Sequence, residues 1–447
     1  MLGTAMRRAI VALEPLWILG LGLPLTLPNK IVSISWHPYL LFALFLFWPL
    51  RWYNYVVDGW EHRQNQSREG EGTDSPLKRS RISRLFLPLQ SPISLPILLI
   101  VAWLPINLWA AVDRQLAFVA TGYLLFGLTL VVALINWAYL RQHPNLPVWL
   151  LLLIGCILAI VAPPFVAWKP EYRLFSLPLY DWLQTHTIDI GETIHANVLA
   201  SVLILSLPIL IAIVLLPNGK TPRWKRYGAI GLIILLISVL IITQSRGGYL
   251  STCIACTFLI TRRWPRVLWG LPFLLVLVGI MIYQIGPQIF LDELSPRGAI
   301  GGWTGRVDIW NASLQAITDF SFTGIGIGTF SYIIPLLYPL QVNIEDYPHA
   351  HNLFLQIGVN LGVPGLIAYV ALLLNICVML WQLLRRTRFT ADYPVVVGIC
   401  GAFIAMLVDG IFSSANWDTK LAFVPWLLMA AITVRFLSTN QFKGRPS

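Results

Sequence analysis

Apolar runs of about 17–25 residues recur along most of this chain, and a run of that length crosses a hydrocarbon core as a helix. Inside lipid the backbone must satisfy its own hydrogen bonds, so only helices and closed barrels are open to such a sequence. Twelve runs stand out, two of them short: 9–27, 38–50, 93–111, 116–139, 147–167, 195–216, 228–244, 248–260, 267–285, 366–384, 394–412 and 421–437. None alternates with the two-residue period of a barrel strand. Charged residues are 11% of the 447, against about 25% in soluble globular domains. The predicted fold class is an all-α polytopic membrane protein with about 12 transmembrane helices.

Lysine and arginine then orient the chain. With both termini cytoplasmic, 23 of the 31 basic residues fall in cytoplasmic segments, among them Arg7, Arg8 and seven in 51–92. The net charge of +11 therefore reports topology and contact with anionic membrane lipids, and implies no nucleic acid. The first apolar run is long, and "LPLTLPNK" offers no small-residue cleavage site, so it is expected to stay as an uncleaved helix. Cys156, Cys253, Cys256, Cys377 and Cys400 all lie in apolar runs, which implies no disulfide framework. The CxxC spacing of "CIAC" reads as helix packing.

Five regions follow. Residues 1–50 hold the first two membrane helices, and 51–92 form a disordered basic cytoplasmic loop, too polar to build a core. Residues 93–285 hold helices three to nine, 286–352 an external loop subdomain, and 353–447 an interfacial helix followed by helices ten to twelve. A smaller external loop, 168–194, carries Trp168, Tyr172, Tyr180 and Trp182, an aromatic belt of the kind expected at a membrane interface.

Chemistry is expected outside, where only eight basic residues lie. "TQSRGGYLS" places Arg246 between two apolar runs, and its glycines permit a tight turn or close approach to a ligand; a plain interfacial arginine would snorkel to water instead. "GGWTGRVDIW" places Arg306 at the start of a predicted helix with Trp310 one turn on, where stacking alone could explain the pair. Trp310, Leu314 and Ile317 are spaced to share one face of that helix, and a Gly-rich turn, "FTGIGIGTF", follows it. Guanidinium forks bind phosphate oxygens bidentately and stay charged in a partly dry site. Two of them outside suit a diphosphate.

"YPHAHNLFLQIGVNLGVPG" supplies two of the seven histidines, His349 and His351. Leu353–Leu361 predicts a short helix of about 14 Å at 1.5 Å per residue, broken by "GVPG" before the next span. Asn352 would cap it. The positive end of that helix disfavours an imidazolium and keeps His351 neutral, so it can take a proton from an attacking hydroxyl. Two other readings stand beside this one. His351 and Asn352 could be a structural cap only. Glu345, Asp346, His349 and His351 could ligate zinc if His-x-His ran extended, pointing both rings one way; no further ligand set completes such a site, and no metal is expected.

These residues resemble the O-antigen ligase family, whose wider group includes O-antigen polymerases and protein O-oligosaccharyltransferases. The resemblance runs from about 195 to 412. It rests on "IHANVLAS" with Asn197, then "SRGG", "GRVDIW", and a histidine motif matched by His351, Asn352, Gly362 and Gly365. The family's Asn helix usually begins Gly/Pro-rich, whereas here it reads "GETIHANVLA". The resemblance implies a GT-C-like bundle with a large, partly helical periplasmic loop in the bacterial inner membrane. It implies lipopolysaccharide biosynthesis: a glycan moves from undecaprenyl pyrophosphate to an acceptor hydroxyl, in ligases on the lipid A core, with inversion and no metal or cofactor. Arg246 and Arg306 would hold the pyrophosphate and stabilise the leaving group, with His351 as base and His349, Asn352, Trp310, Asn197, Gly362 and Gly365 in support. Polymerase and protein glycosylation remain open alternatives, and the oligomeric state is undetermined. A bicarbonate or other solute transporter, the alternative of another class, should place ionisable groups near mid-bilayer. The candidates there are few: Glu14 near a helix start and Asp409 near a helix end.

Overall fold

The structure, a computed structural model, describes residues 13–46, 53, 91–168, 178–188, 194–216, 222–286, 302–340, 348–415 and 417–441. Most of the 51–92 loop lies outside these, as do Tyr172, Glu345 and Asp346. Each of the twelve apolar runs overlaps a helix. In chain order the helices are α1 (Glu14–Thr26), α2 (His37–Phe45), α3 (Ser94–Ala110), α4 (Arg114–Asn136), α5 (Ala138–Gln142), α6 (Leu146–Val161), α7 (Pro178–Thr185) and α8 (Ala196–Leu215). They continue with α9 (Arg223–Thr243), α10 (Arg246–Arg263), α11 (Leu271–Ile285), α12 (Gly302–Asp319), α13 (Phe330–Leu337), α14 (Leu353–Thr387), α15 (Tyr393–Phe412) and α16 (Phe423–Gln441). Among the described residues the only sheet is a parallel pair of two-residue strands, β1 (Val166–Ala167) and β2 (Ile194–His195), with Ala167 opposite His195.

Among the described residues five helices, α4, α8, α9, α14 and α15, are long and apolar enough to cross a membrane by length and composition. α3, α6, α16 and the segment ending in α2 are shorter apolar helices. The centre of the bundle is α8. Every residue from Leu199 to Leu210 is buried, as expected of a helix apolar on all sides, and α6, α9, α10 and α15 pack around it. Trp168 and Tyr180 of the expected interfacial aromatic belt are buried edge to face, with centroids 5.5 Å apart. The short helix α7 carries Tyr180 back onto the bundle. Trp182, on the other side of α7, is exposed.

The break expected in α14 falls at Gly362, whose φ of 70° and ψ of −176° leave the helical region. A broken helix frees backbone groups that need partners elsewhere, and here they find them. Val359 and Asn360 carbonyls accept from the amides of Ile325 (2.9 Å) and Gly326 (3.3 Å), and Val363 N donates to Ser321 O (2.7 Å). From α3, Trp103 Nε1 donates to Leu361 O at 2.9 Å. The Gly-rich turn is thereby bolted into the break. Gly324 and Gly362 both have positive φ, and a Cβ on either would collide with the other segment, at Asn360 O and Phe322 O respectively. Neither position has room for a side chain. Gly365, one turn on, is closed in by the Leu361 side chain.

The loop region carries its own small core. Ile309, Ala312 and Ala316 of α12 meet Ile325, Phe330, Ile333, Ile334, Ala350 and Val359. This corrects the face predicted for α12 at Leu314, while Ile317 packs against this core. Leu314 is 53% exposed, and the buried stripe runs through Ile309, Ala312, Ser313 and Ala316. Small side chains let α12 approach α14 closely, where Ile317 lies against Gly358, so part of the contact is written in Ala and Ser, which hydrophobicity alone passes over.

Candidate active site

Three helices begin around the last turn of α15. The first turns of α8 and α10 lie together: a Cβ on Gly248 would sit 3.2 Å from Ala200 Cβ. Asp409 of α15 lies beneath both. Its Oδ2 accepts from Ser201 Oγ at 2.6 Å, and its Oδ1 would be 3.3 Å from a Cβ on Gly247. The start of α14 closes the third side, where Asn352 Nδ2 donates to Ile411 O at 3.1 Å. Helix N-termini carry partial positive charge and unpaired amides, so their convergence favours an anion.

Each start is capped locally, and the caps set the side chains. Ser245 caps α10 by accepting from Gly248 N at 3.2 Å, after Gln244 has turned the chain through a left-handed φ of 51°. Arg246 is therefore the first residue of α10, half-buried, with its Nε out of reach of water. Asn352 caps α14, its Oδ1 accepting from Phe354 N and Leu355 N at 3.0 Å each. His195 caps α8, its Nδ1 accepting from Asn197 N at 3.2 Å. Accepting at Nδ1 leaves the proton of the neutral ring on Nε2.

His349 and His351 meet edge to face, with ring centroids 4.2 Å apart and planes at 76°. His351 has a left-handed φ of 48°, uncommon away from glycine. The extended His-x-His that a metal reading requires is thus absent. Among the described residues no group of three His, Cys, Asp or Glu is arranged to hold a metal ion. The peptide between the two rings is fixed through Ala350, whose carbonyl accepts from Trp310 Nε1 at 2.9 Å. That bond commits the Trp310 indole to the histidine segment.

The cationic groups feel one another. Arg246 and Arg306 interact electrostatically, and Arg306 and His195 both act on His349 and His351. Burial holds His349 down at about 4, and the neighbouring His195 ring and the Arg306 guanidinium push the same way. Burial also holds His351 well below its ordinary value, reinforced by His349, Arg306 and His195. Both rings are neutral at neutral pH. A group of two guanidiniums and neutral imidazoles at the mouths of three helices can bind a multiply charged anion and accept a proton beside it.

Residues 230–370 match the O-antigen ligase family model. That match supports assignment of the chain to the O-antigen ligase family, a family of membrane enzymes. No curated protein matches the chain. The matched stretch contains Arg246, Arg306, Trp310, His349, His351, Asn352, Gly362 and Gly365, while Asn197 precedes it. Arg246, Arg306, His349 and His351 come together with Asn352 and Trp310 around them. Gly362 and Gly365 lie further along α14, at the break that holds the loop. Asn197 stands at the start of α8, contributing its backbone amide to His195. His195 was missed by sequence reasoning, although a polar residue just before the apolar run of α8 is a readable cap signal. Asp409 was read only as a transporter candidate; its carboxylate joins α15 to the starts of α8 and α10.

Proposed function

We propose that the chain transfers a glycan from undecaprenyl pyrophosphate to an acceptor hydroxyl, in the manner of an O-antigen ligase, at the periplasmic face of the bacterial inner membrane. About twelve helices would cross the membrane, placing the shared mouth of α8, α10 and α14 outside. The observation that carries this reading is the meeting of Arg246 and Arg306 with a neutral His351 at converging helix N-termini.

In the proposed reaction the acceptor oxygen attacks the anomeric carbon as the bond from that carbon to the phosphate oxygen breaks. The hydroxyl proton passes to the His351 imidazole. The leaving undecaprenyl pyrophosphate gains negative charge on its terminal phosphate, where Arg246 and Arg306 stabilise it. Attack opposite the leaving group inverts the anomeric centre. A low proton affinity before the donor binds suits this step. The bound diphosphate brings negative charge next to His351 and raises its basicity when the proton must be taken.

The test is reconstitution of the purified protein with undecaprenyl-pyrophosphate glycan and three separate acceptors: lipid A core, a second lipid-linked glycan, and a peptide. Transfer to lipid A core, lost in His351→Ala while folding and insertion persist, is the expected result. Transfer only to lipid-linked glycan would make the protein a polymerase, and transfer only to peptide a protein glycosyltransferase. An alanine variant of His351 that transfers at the normal rate would end its assignment as base.

A further inference from the structure

The peptide between His349 and His351 is gripped from both sides. Ala350 is fully buried, and while its carbonyl accepts from Trp310, its amide donates to Gln356 Oε1 at 2.8 Å. Gln356 is itself fully buried. Its Nε2 donates to Asp418 Oδ2 at 3.1 Å and to Asn360 Oδ1 at 3.3 Å. Asn360 Nδ2 donates to the same Asp418 oxygen at 3.3 Å. Asp418 lies between α15 and α16, outside the matched stretch.

The polarity of this chain of bonds runs one way. An ionised carboxylate only accepts, so Asp418 obliges Gln356 and Asn360 to turn their NH2 groups toward it. That leaves Gln356 Oε1 facing the opposite direction, where it meets the Ala350 amide. Reversing the Gln356 amide would set two donors against each other at Ala350 and two acceptors at Asp418. We infer that Asp418, Gln356 and Asn360 form a positioning set that fixes the His349–Ala350–His351 peptide, and through it the aim of His351 toward the acceptor hydroxyl. The inference rests on the glycan-transfer reading for the role of His351, and on geometry alone for the fixing of the peptide.

Two measurements on the full-length protein separate those two dependencies. The first is kcat and donor KM with undecaprenyl-pyrophosphate glycan. Gln356→Leu removes both ends of the link, and kcat is expected to fall at least about tenfold, the equivalent of one buried hydrogen bond. Donor KM should hold within about twofold, because the guanidiniums that carry donor binding are untouched. Gln356→Glu sets two carboxylates face to face and should be as damaging. Adding Asp418→Asn to Gln356→Glu exchanges donor and acceptor at the far end of the link and restores both of its bonds. The introduced carboxylate then accepts from the Ala350 amide on one side and from the introduced side-chain amide on the other. That double variant should recover at least about a third of wild-type kcat, a loss well under one hydrogen bond. A normal kcat in Gln356→Leu, or a double variant no better than Gln356→Glu, would overturn the inference.

The second measurement needs no activity: the rate at which diethyl pyrocarbonate modifies His349 and His351, read by mass spectrometry. Gln356→Leu should raise it severalfold and the double variant should return it to the wild-type value; equal rates in all three would overturn the inference. Should wild-type protein transfer no glycan to any acceptor, the reading of function fails, and the modification rates still decide whether Gln356 and Asp418 fix the histidines.

Discussion

The side-chain amide of Asn107 donates to the carbonyl oxygen of Asn360 at 2.6 Å, joining α3 to the helix that carries the site. Asn107 is fully buried and also donates to Thr323 O at 2.9 Å, while its Oδ1 accepts from Ile327 N at 3.1 Å. One side chain thus satisfies backbone groups on both partners of the α14 break. Asn107→Leu would leave Thr323 O and Ile327 N buried without it, while Asn360 O keeps the Gly326 amide. Each such loss costs about 1–3 kcal/mol, so the variant should lose several degrees of Tm in a thermal scan. A Tm equal to wild type would mean that the loop is held to α14 by other contacts.

Gly324→Ala offers a sharper test of the same joint. A left-handed backbone costs a non-glycine residue about 1–2 kcal/mol, and here the added methyl also meets the Asn360 carbonyl. The loop must shift off the break. The expected outcome is faster proteolysis within 302–340, with α8 and α15 still protected. Unchanged cleavage would show that the turn has slack that its packing does not suggest.

How much of this was readable beforehand depends on how far apart the cooperating residues lie. The helices were legible, because hydropathy is a local signal and lipid enforces it; α8, apolar over its whole length, could be little else. The break in α14 was legible from "GVPG", and its Asn352 cap from a polar residue ahead of an apolar run. What docks into the break was not, since Gly324 and Gly362 are chemically silent until φ is known. Arg246, Arg306 and His351 could each be named as scarce polar groups beside apolar runs. Their partners could not: Gln356 and Asp418 are separated by 62 positions and share no period. The α12 face was legible in part: Ile317 packs inward, whereas alanine and serine form the rest of the contact and Leu314 faces away.

The two guanidiniums make a prediction about stability as well as binding. Arg246 and Arg306 act on each other with like charge, a repulsion that a bound anion would offset. Arg306→Ala should therefore abolish the Tm rise produced by undecaprenyl pyrophosphate, since ligand stabilisation follows affinity. Arg306→Lys keeps the charge without the fork and should recover only part of that rise. A donor-induced rise of wild-type size in Arg306→Ala would remove Arg306 from the anion site.

Acid sensitivity follows from the histidine pair. His349 is held at about 4 in the folded protein against 6.5 ordinarily, and His351 is also lowered. A lowered histidine binds fewer protons folded than unfolded at pH values between the two, so stability rises with pH there and falls as pH drops. The contribution of His349 is complete above about pH 6.5 and is lost progressively as pH falls toward 4. Replacing it by Gln should flatten the decline in Tm between those values. Catalysis should show the same sign. In kcat/KM, which reports the free protein, the acid limb should lie below the ordinary histidine range, because the neutral form of His351 persists to lower pH. An acid limb at or above that range would mean that His351 is solvated and charged in the empty site, and the base would have to be sought among its neighbours, with His195 the first to try.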